Sequence, residues 1–352
     1  MARAKASSEY VCQTCAATFP KWEGQCRTCG AWNSLVETLV APAERRSRTR
    51  AGKSLPVNAE PVPLAALQTT QVSRRRSGLA EVDRLLGGGL VPGSVLLLGG
   101  EPGIGKSTLV LQMAGALAVA VAGEPGEPTV LYASAEESAA QLQLRAARLG
   151  LAGGPADGAL TVLAGTDVAA IITAASSAPP ALLVVDSIQT VEVDGLDGPP
   201  GSVGQVRESA IQLGAFAREL GVPVLLVGHV TKDGSLAGPR TLEHLVDTVL
   251  MLEGDRYGSL RLLRALKNRH GSTEEVGVLE MTAAGLAEVK DTAAAFLGSG
   301  RREAPGVAVA AVLEGSRPLL VEVQALVAPA GGIGPPRRTV AGLDANRLAL
   351  LI

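Results

Sequence analysis

Aromatic residues are almost missing from this chain. Three Tyr, three Phe and two Trp make up 2% of 352 residues, against a hydrophobic content of 47%. The interior must therefore be packed by Ala, Val and Leu. No run of 18 or more apolar residues occurs, which excludes an ordinary membrane-spanning helix. The opening stretch, Met1-Ala-Arg-Ala-Lys-Ala-Ser-Ser-Glu9, lacks the apolar centre of a secretory signal, so the expected location is cytoplasmic. A strong charge of either sign is missing too: the net charge is −2 and the isoelectric point is near 6.0. Contact with nucleic acid would have to come from local patches rather than a global field. The length leaves room for two domains and a large core.

Cysteine is absent after residue 29, and the four present are paired: Cys12-x2-Cys15, ten residues, then Cys26-x2-Cys29. Two such knuckles suit four thiolates around a tetrahedral zinc ion, and Gly30 fits the tight turn a knuckle needs. Without a secretion signal, disulfides are disfavoured, and a redox pair does not usually come doubled. Tyr10, Phe19, Trp22 and Trp32 cluster here, enough for a miniature core around a metal. Burial alone cannot fold so small a segment, so metal binding would supply on the order of 10 kcal/mol of folding free energy. Residues 1–32 are read as the zinc module and 33–72 as a linker with Pro42, Pro56, Pro61 and Pro63. The linker's basic run, Arg45-Arg-Ser-Arg-Thr-Arg50 with Lys53, reads either as a solvated tether or, with Arg74, Arg75 and Arg76, as a contact to a phosphate backbone.

The most specific string is Gly100-Glu101-Pro102-Gly103-Ile104-Gly105-Lys106-Ser107-Thr108, a phosphate-binding loop of the form G-x-x-x-x-G-K-[ST]. An apolar strand, Val95-Leu-Leu-Leu98, precedes it and a helix starting Leu109-Val-Leu-Gln-Met113 follows. Glycines let successive N–H groups turn inward around phosphate oxygens, and the helix N-terminus adds positive potential. Lys106 would reach the β- and γ-phosphates of ATP, with the Ser107 hydroxyl on Mg²⁺.

Strands and helices alternate over residues 73–290, which predicts a mostly parallel sheet covered on both faces. Thr129-Val-Leu-Tyr-Ala133 reads as a strand, followed by an amphipathic helix over about 137–149. Ala181-Leu-Leu-Val-Val-Asp186 is an apolar strand that delivers a carboxylate to its C-terminal edge, where Asp186 could orient the magnesium ion and its water. Glu136 and Glu137 both qualify as the group that polarises the attacking water. Pro223-Val-Leu-Leu-Val-Gly-His229 reads as a further strand ending in His229, Thr231 and Lys232, where either a γ-phosphate sensor or a satisfied core histidine fits. Two loops leave this edge: residues 193–202, Gly/Pro-rich, acidic and without aromatics, and residues 231–240, carrying Lys232 and Arg240. The first is expected to be mobile, and backbone contacts rather than base stacking are expected there.

In order and content these pieces resemble the bacterial RadA (Sms) family of RecA-like DNA repair ATPases. The resemblance rests on the cysteine quartet, Gly87-Gly-Gly-Leu-Val-Pro-Gly93, residues 100–108, Asp186-Ser-Ile-Gln-Thr190, Gly201-Ser-Val203, Gly228-His-Val-Thr-Lys232 and Ala237-Gly-Pro-Arg-Thr-Leu-Glu-His244. It spans essentially the whole chain. The family's Lys-Asn-Arg-Phe-Gly string stands here as Lys267-Asn268-Arg269-His270-Gly271, with His in place of Phe. The resemblance implies an N-terminal four-cysteine zinc finger, a RecA-like P-loop ATPase core and, over 291–352, part of an α/β domain like that of Lon protease. It also implies that Glu136 is the catalytic glutamate and that Lys267 and Arg269 act on the neighbouring subunit's ATP. Single-stranded and branched DNA, the RecA recombinase filament and a homo-hexamer are the implied partners, with no membrane. Gly306-Val-Ala-Val-Ala-Ala-Val-Leu-Glu-Gly-Ser-Arg-Pro-Leu-Leu-Val-Glu-Val323 reads as a hairpin opening the Lon-like part. An apolar helix over 344–352 would have nothing to cover it, so the chain is expected to be truncated and to have no protease activity. The function expected is a DNA-stimulated ATPase that processes recombination intermediates. A nucleotide-gated regulatory module is the alternative, and a replicative helicase fits the zinc finger and the Lys-Asn-Arg string less well.

Overall fold

A computed structural model describes residues 7–12, 17–40, 73–124, 128–154, 156, 158–229, 241–254, 258–297, 305–328 and 339–351. Cys15, the linker prolines, the basic run at 45–50 with Lys53, and Thr231, Lys232 and Arg240 lie outside the described residues.

The first module is an antiparallel sheet in the order β2-β1-β3, from β1 (Ser7–Cys12), β2 (Thr18–Phe19) and β3 (Leu35–Val40). This moves the expected linker boundary. Leu35-Val-Glu-Thr-Leu-Val40 pairs along all of β1, with Cys12 opposite Leu35 and Ser7 opposite Val40. Prolines further on drew the whole of 33–72 into a linker, but this run has four apolar residues and finds a complete set of backbone partners on β1. The small core consists of Cys12, Cys26 and Leu35 with Tyr10 and Phe19 packed on it. Trp22 and Trp32 do not join it: they are 54% and 71% exposed, so only half of the expected aromatic cluster is core.

Beyond it come α1 (Ala80–Leu85), β4 (Val95–Gly100), α2 (Lys106–Val121), β5 (Val130–Ser134), α3 (Ala139–Arg148), β6 (Leu160–Ala164), α4 (Val168–Ser177) and β7 (Leu182–Asp186). There follow α5 (Val203–Leu220), β8 (Val224–Val227), α6 (Thr241–Leu245), β9 (Thr248–Glu253), β10 (Leu260–Asn268), β11 (Val276–Thr282) and β12 (Gly285–Glu288). They build one nine-stranded sheet in the order β12-β11-β10-β9-β4-β8-β7-β5-β6. From β9 to β6 every pairing is parallel, and β9 to β12 is antiparallel. The mostly parallel sheet expected from the alternating pattern is therefore present, with an antiparallel wing added.

Every residue of β4, β5, β7 and β8 is buried, the state of parallel strands covered on both faces. On one face packs α2, apolar around most of its circumference, through Leu109, Val110, Met113 and Leu117. On the other pack α4, α5 and α6, through Ile171, Val206, Leu213, Phe216 and Leu242. α3 starts at Ala139 rather than 137 because Ser138 closes a capping box with Gln141: Ser138 Oγ accepts from the Gln141 N–H, and Gln141 Oε1 accepts from the Ser138 N–H at 2.9 Å. That cap leaves Glu136 and Glu137 in the turn after β5.

The last segment holds α7 (Thr292–Leu297), the expected hairpin as β13 (Val307–Glu314) and β14 (Arg317–Gln324), and α8 (Ala345–Leu351). The hairpin turn is tied to α1 by Arg317–Glu81 at 2.6 Å, and to the antiparallel wing by an Arg264–Glu314 pair and by Ser316 N–H to the Glu274 carbonyl at 2.7 Å. Leu313, Leu326, Val327, Leu343 and Leu350 are exposed. No helix among the described residues is long and apolar enough to cross a membrane.

Candidate active site

The phosphate loop leaves the C-terminal end of β4, and its neighbours β8, β7 and β5 end beside it, delivering His229, Asp186 and Glu136 to one edge. Clefts at this edge of an open parallel sheet are where such folds bind ligands. Gly103 and Gly105 have φ of +80° and +113°, and a Cβ on Gly105 would lie 2.5 Å from Met281 Cε, so the turn requires glycine. α2 has no side-chain cap and no acidic residue in its first turn. Its first N–H groups are left for an anion. Arg261, a buried cation, steadies the loop by donating from Nε to the Ile104 carbonyl at 3.1 Å.

Lys106 is buried and bends back over its own loop. Nζ donates to the carbonyls of Gly100 (2.8 Å) and Glu101 (3.0 Å) and reaches His229 Nδ1 at 3.1 Å. An ammonium has only protons to give, so Nδ1 accepts and the ring proton sits on Nε2, 3.1 Å from Glu136 Oε1. Glu136 Oε1 also accepts from the Ser187 hydroxyl. The result is an unbroken chain from Lys106 through His229 to Glu136. Burial pulls the Lys106 ammonium below its usual range, opposed by the charges of Asp186 and Glu136. The Glu136 carboxyl is held below its usual range, first by the His229 bond, then, against burial, by the Ser187 bond.

The structure separates the two glutamates that the sequence left side by side. Glu137 is ion-paired with Arg145 on α3, whereas Glu136 joins the chain to Lys106. Asp186 is buried and accepts a 2.5 Å hydrogen bond from Tyr132 on β5 to Oδ2. Burial, then the adjoining Asp186, pushes the Tyr132 phenol well above its usual range, so it remains a donor. Sequence reasoning passed over Tyr132, Ser187 and Arg261. The only signal available was polar atoms in otherwise apolar strands.

The other expected residues lie outside this chain of contacts. Lys267 turns inward within the chain, donating to the carbonyls of Glu243 (2.5 Å) and Val246 (2.7 Å) at the end of α6. Burial, then Arg269, lowers its affinity for a proton. Arg269 points outward, its side chain 58% exposed and paired with Asp247 at 3.0 Å. Arg74 donates to the carbonyls of Leu86 and His270, and Arg75 pairs with Glu124, so neither is an uncommitted phosphate contact. The loop 193–202 is strapped around buried Gln205, which accepts from the Val193 N–H and donates to the Leu196 carbonyl, both at 2.8 Å.

In the N-terminal sheet the Sγ atoms of Cys12, Cys26 and Cys29 lie within 4.8 Å of one another, with Cys12 and Cys29 3.7 Å apart. A tetrahedron of thiolates about 2.3 Å from zinc has edges of about 3.8 Å, whereas a disulfide bond is about 2.05 Å. The thiols therefore fit a metal and not a disulfide. Gly30, with φ +75°, makes the expected tight turn, its N–H bonded to the Cys26 carbonyl at 2.8 Å.

A phosphate loop after a central strand, flanked by carboxylates on neighbouring strands of a parallel sheet, defines a RecA-like ATPase. A family model described as an AAA domain matches residues 60–235, and one described as a rubredoxin metal binding domain matches 10–37. Two relatives named DNA repair protein RadA, from Bacillus subtilis (strain 168) and Pseudomonas aeruginosa, are 45% and 49% identical over 349 residues. Each match covers 99% of this chain and 74% of the relative. Among solved structures, one described as an ATPase domain aligns with a TM-score of 0.50 at 15% identity, over 62% of this chain and 92% of that one, a likeness of fold. The chain belongs to the RadA family of DNA repair proteins.

Proposed function

We propose that this chain is a DNA-stimulated ATPase that grips single-stranded DNA and remodels branched recombination intermediates, working as a hexamer alongside the RecA filament. The observation that carries it is the chain of contacts from Lys106 through His229 to Glu136, beside Asp186, around an uncapped helix N-terminus. The residues of 100–108 would wrap the triphosphate of ATP, and Lys106 would leave the Gly100 and Glu101 carbonyls for the phosphate oxygens. Ser107 and Asp186 would hold magnesium, which when bound offsets the charge of the phosphates. Both bonds to Glu136 fall on Oε1, so Oε2 is the atom that would polarise the attacking water. His229, released when Lys106 turns to the phosphate, would report that event to the loop that follows it.

Arg269 is exposed, which suits a cation acting on a neighbour's ATP. Lys267 would first have to leave the α6 carbonyls. The C-terminal segment is assigned no protease activity, and the cytoplasm is the compartment this role requires. ATP turnover with and without single-stranded DNA tests the proposal. A rise with DNA is expected, together with loss of turnover in Lys106→Ala. Near-normal turnover in that variant overturns the site, and turnover indifferent to DNA favours the nucleotide-gated regulatory module.

A further inference from the structure

The chain contains two tryptophans, and both stand on the surface of the N-terminal module. Trp22 is 54% and Trp32 71% exposed, and no other aromatic residue is exposed among the described residues. The two indoles are neighbours. A Cβ placed on Gly24 would lie 3.8 Å from both the Trp22 and the Trp32 ring. Their backbone is held: the Asn33 N–H bonds to the Gly24 carbonyl at 2.8 Å, and Gln25 is bridged to Trp32. Two large rings thus sit side by side on a rigid turn, in water, in a chain that otherwise uses aromatics sparingly.

The charge of the sequence that flanks them along the chain indicates what they meet. Residues 1–53 carry nine Lys or Arg, seven of them in 1–6 and 41–53 outside the described residues, against four Asp or Glu, an excess of five positive charges, in a chain whose net charge is −2. Four thiolates on a zinc ion would remove two of these and leave the segment positive. Aromatic faces together with positive charge are the surface that takes unpaired bases and their phosphates. The 193–202 loop of the ATPase core is acidic and has no aromatic residue, so it offers bases nothing to stack on.

We propose that Trp22 and Trp32 stack on the bases of single-stranded nucleic acid, giving the chain a base-contacting foothold apart from the ATPase core. The inference rests on the reading that the chain binds single-stranded DNA. Two readouts separate them: anisotropy of a labelled oligo(dT) reports binding by any part of the chain, and intrinsic tryptophan fluorescence reports this surface alone. With the zinc-loaded chain, oligo(dT) should quench the fluorescence along the same curve that anisotropy follows. An abasic strand of equal length and a duplex should quench little. Trp22→Ala and Trp32→Ala should each weaken oligo(dT) binding about tenfold, and Trp22→Phe and Trp32→Phe should restore most of it. Binding without quenching overturns this inference and leaves the motor reading standing. So does equal quenching by the abasic strand. Wild-type affinity in the double alanine variant would assign the surface to a protein partner instead. Failure to bind by either readout overturns both.

Discussion

Replacing Tyr132 by Phe removes one oxygen from the middle of the sheet and should have two separable effects. Tyr132 is 1% and Asp186 7% exposed, and the phenol donates to Asp186 Oδ2 at 2.5 Å. Because Phe fills the same ring volume, the change reports the hydrogen bond rather than a cavity. A bond to a carboxylate is worth about 1.5–3 kcal/mol, and losing it leaves a buried oxygen without its donor. At about 2–4 °C per kcal/mol for a domain of comparable size, the nucleotide-free variant should melt about 3–12 °C lower. The phenol is pushed far up by burial and by Asp186, so the deficit should be the same at neutral and mildly alkaline pH. The second effect follows from orientation: the bond on Oδ2 fixes which way Asp186 faces. The magnesium concentration that half-saturates ATP turnover should rise about tenfold or more, while nucleotide binding without magnesium is unchanged. Calorimetry and a magnesium titration of turnover measure both. A variant with the wild-type melting temperature and magnesium curve would refute the role given to Tyr132.

Glu136→Gln should bind ATP but turn it over slowly, and its stability should differ from wild type in a pH-dependent way. A carboxyl whose folded value is depressed contributes stability that is full above its unfolded value and is lost as pH falls through the folded one. The wild-type advantage should therefore shrink below about pH 4.3 in paired urea titrations, and an advantage independent of pH would contradict the His229 and Ser187 bonds. Arg269→Ala should keep nucleotide binding and lose turnover. Mixing it with Lys106→Ala subunits should recover activity if the arginine serves a neighbour, and no recovery argues against action between subunits. Stripping zinc with a chelator should abolish hydrogen-exchange protection in residues 7–12 and 17–40, because the metal supplies on the order of 10 kcal/mol there. The nine-stranded sheet should be unaffected, and protection surviving in the metal-free module would disprove a structural ion.

What the sequence determined by itself is the chemistry set by adjacent residues. Residues 100–108 form a phosphate loop because glycine spacing and the lysine position act within one turn of chain. The spacing of the cysteine pairs pointed to a metal because two residues between thiols is a local constraint, and Cys12, Cys26 and Cys29 do converge. The apolar strands were legible because burial on both faces leaves continuous hydrophobic runs, and Asp186 was found as the polar end of such a run. What only the tertiary structure decided depends on which strands lie side by side. The strand order puts β8 between β4 and β7, and that is why His229 meets Lys106 and Glu136, residues far apart in sequence. It also puts Tyr132 on Asp186, while the α3 cap and Arg145 remove Glu137 from the site. Direction was undecidable locally as well. Trp22 and Trp32 fitted a miniature core by composition, but the pleat of three short strands has only one inner face, and Cys12, Cys26, Leu35, Tyr10 and Phe19 already fill it. The two indoles were left outside.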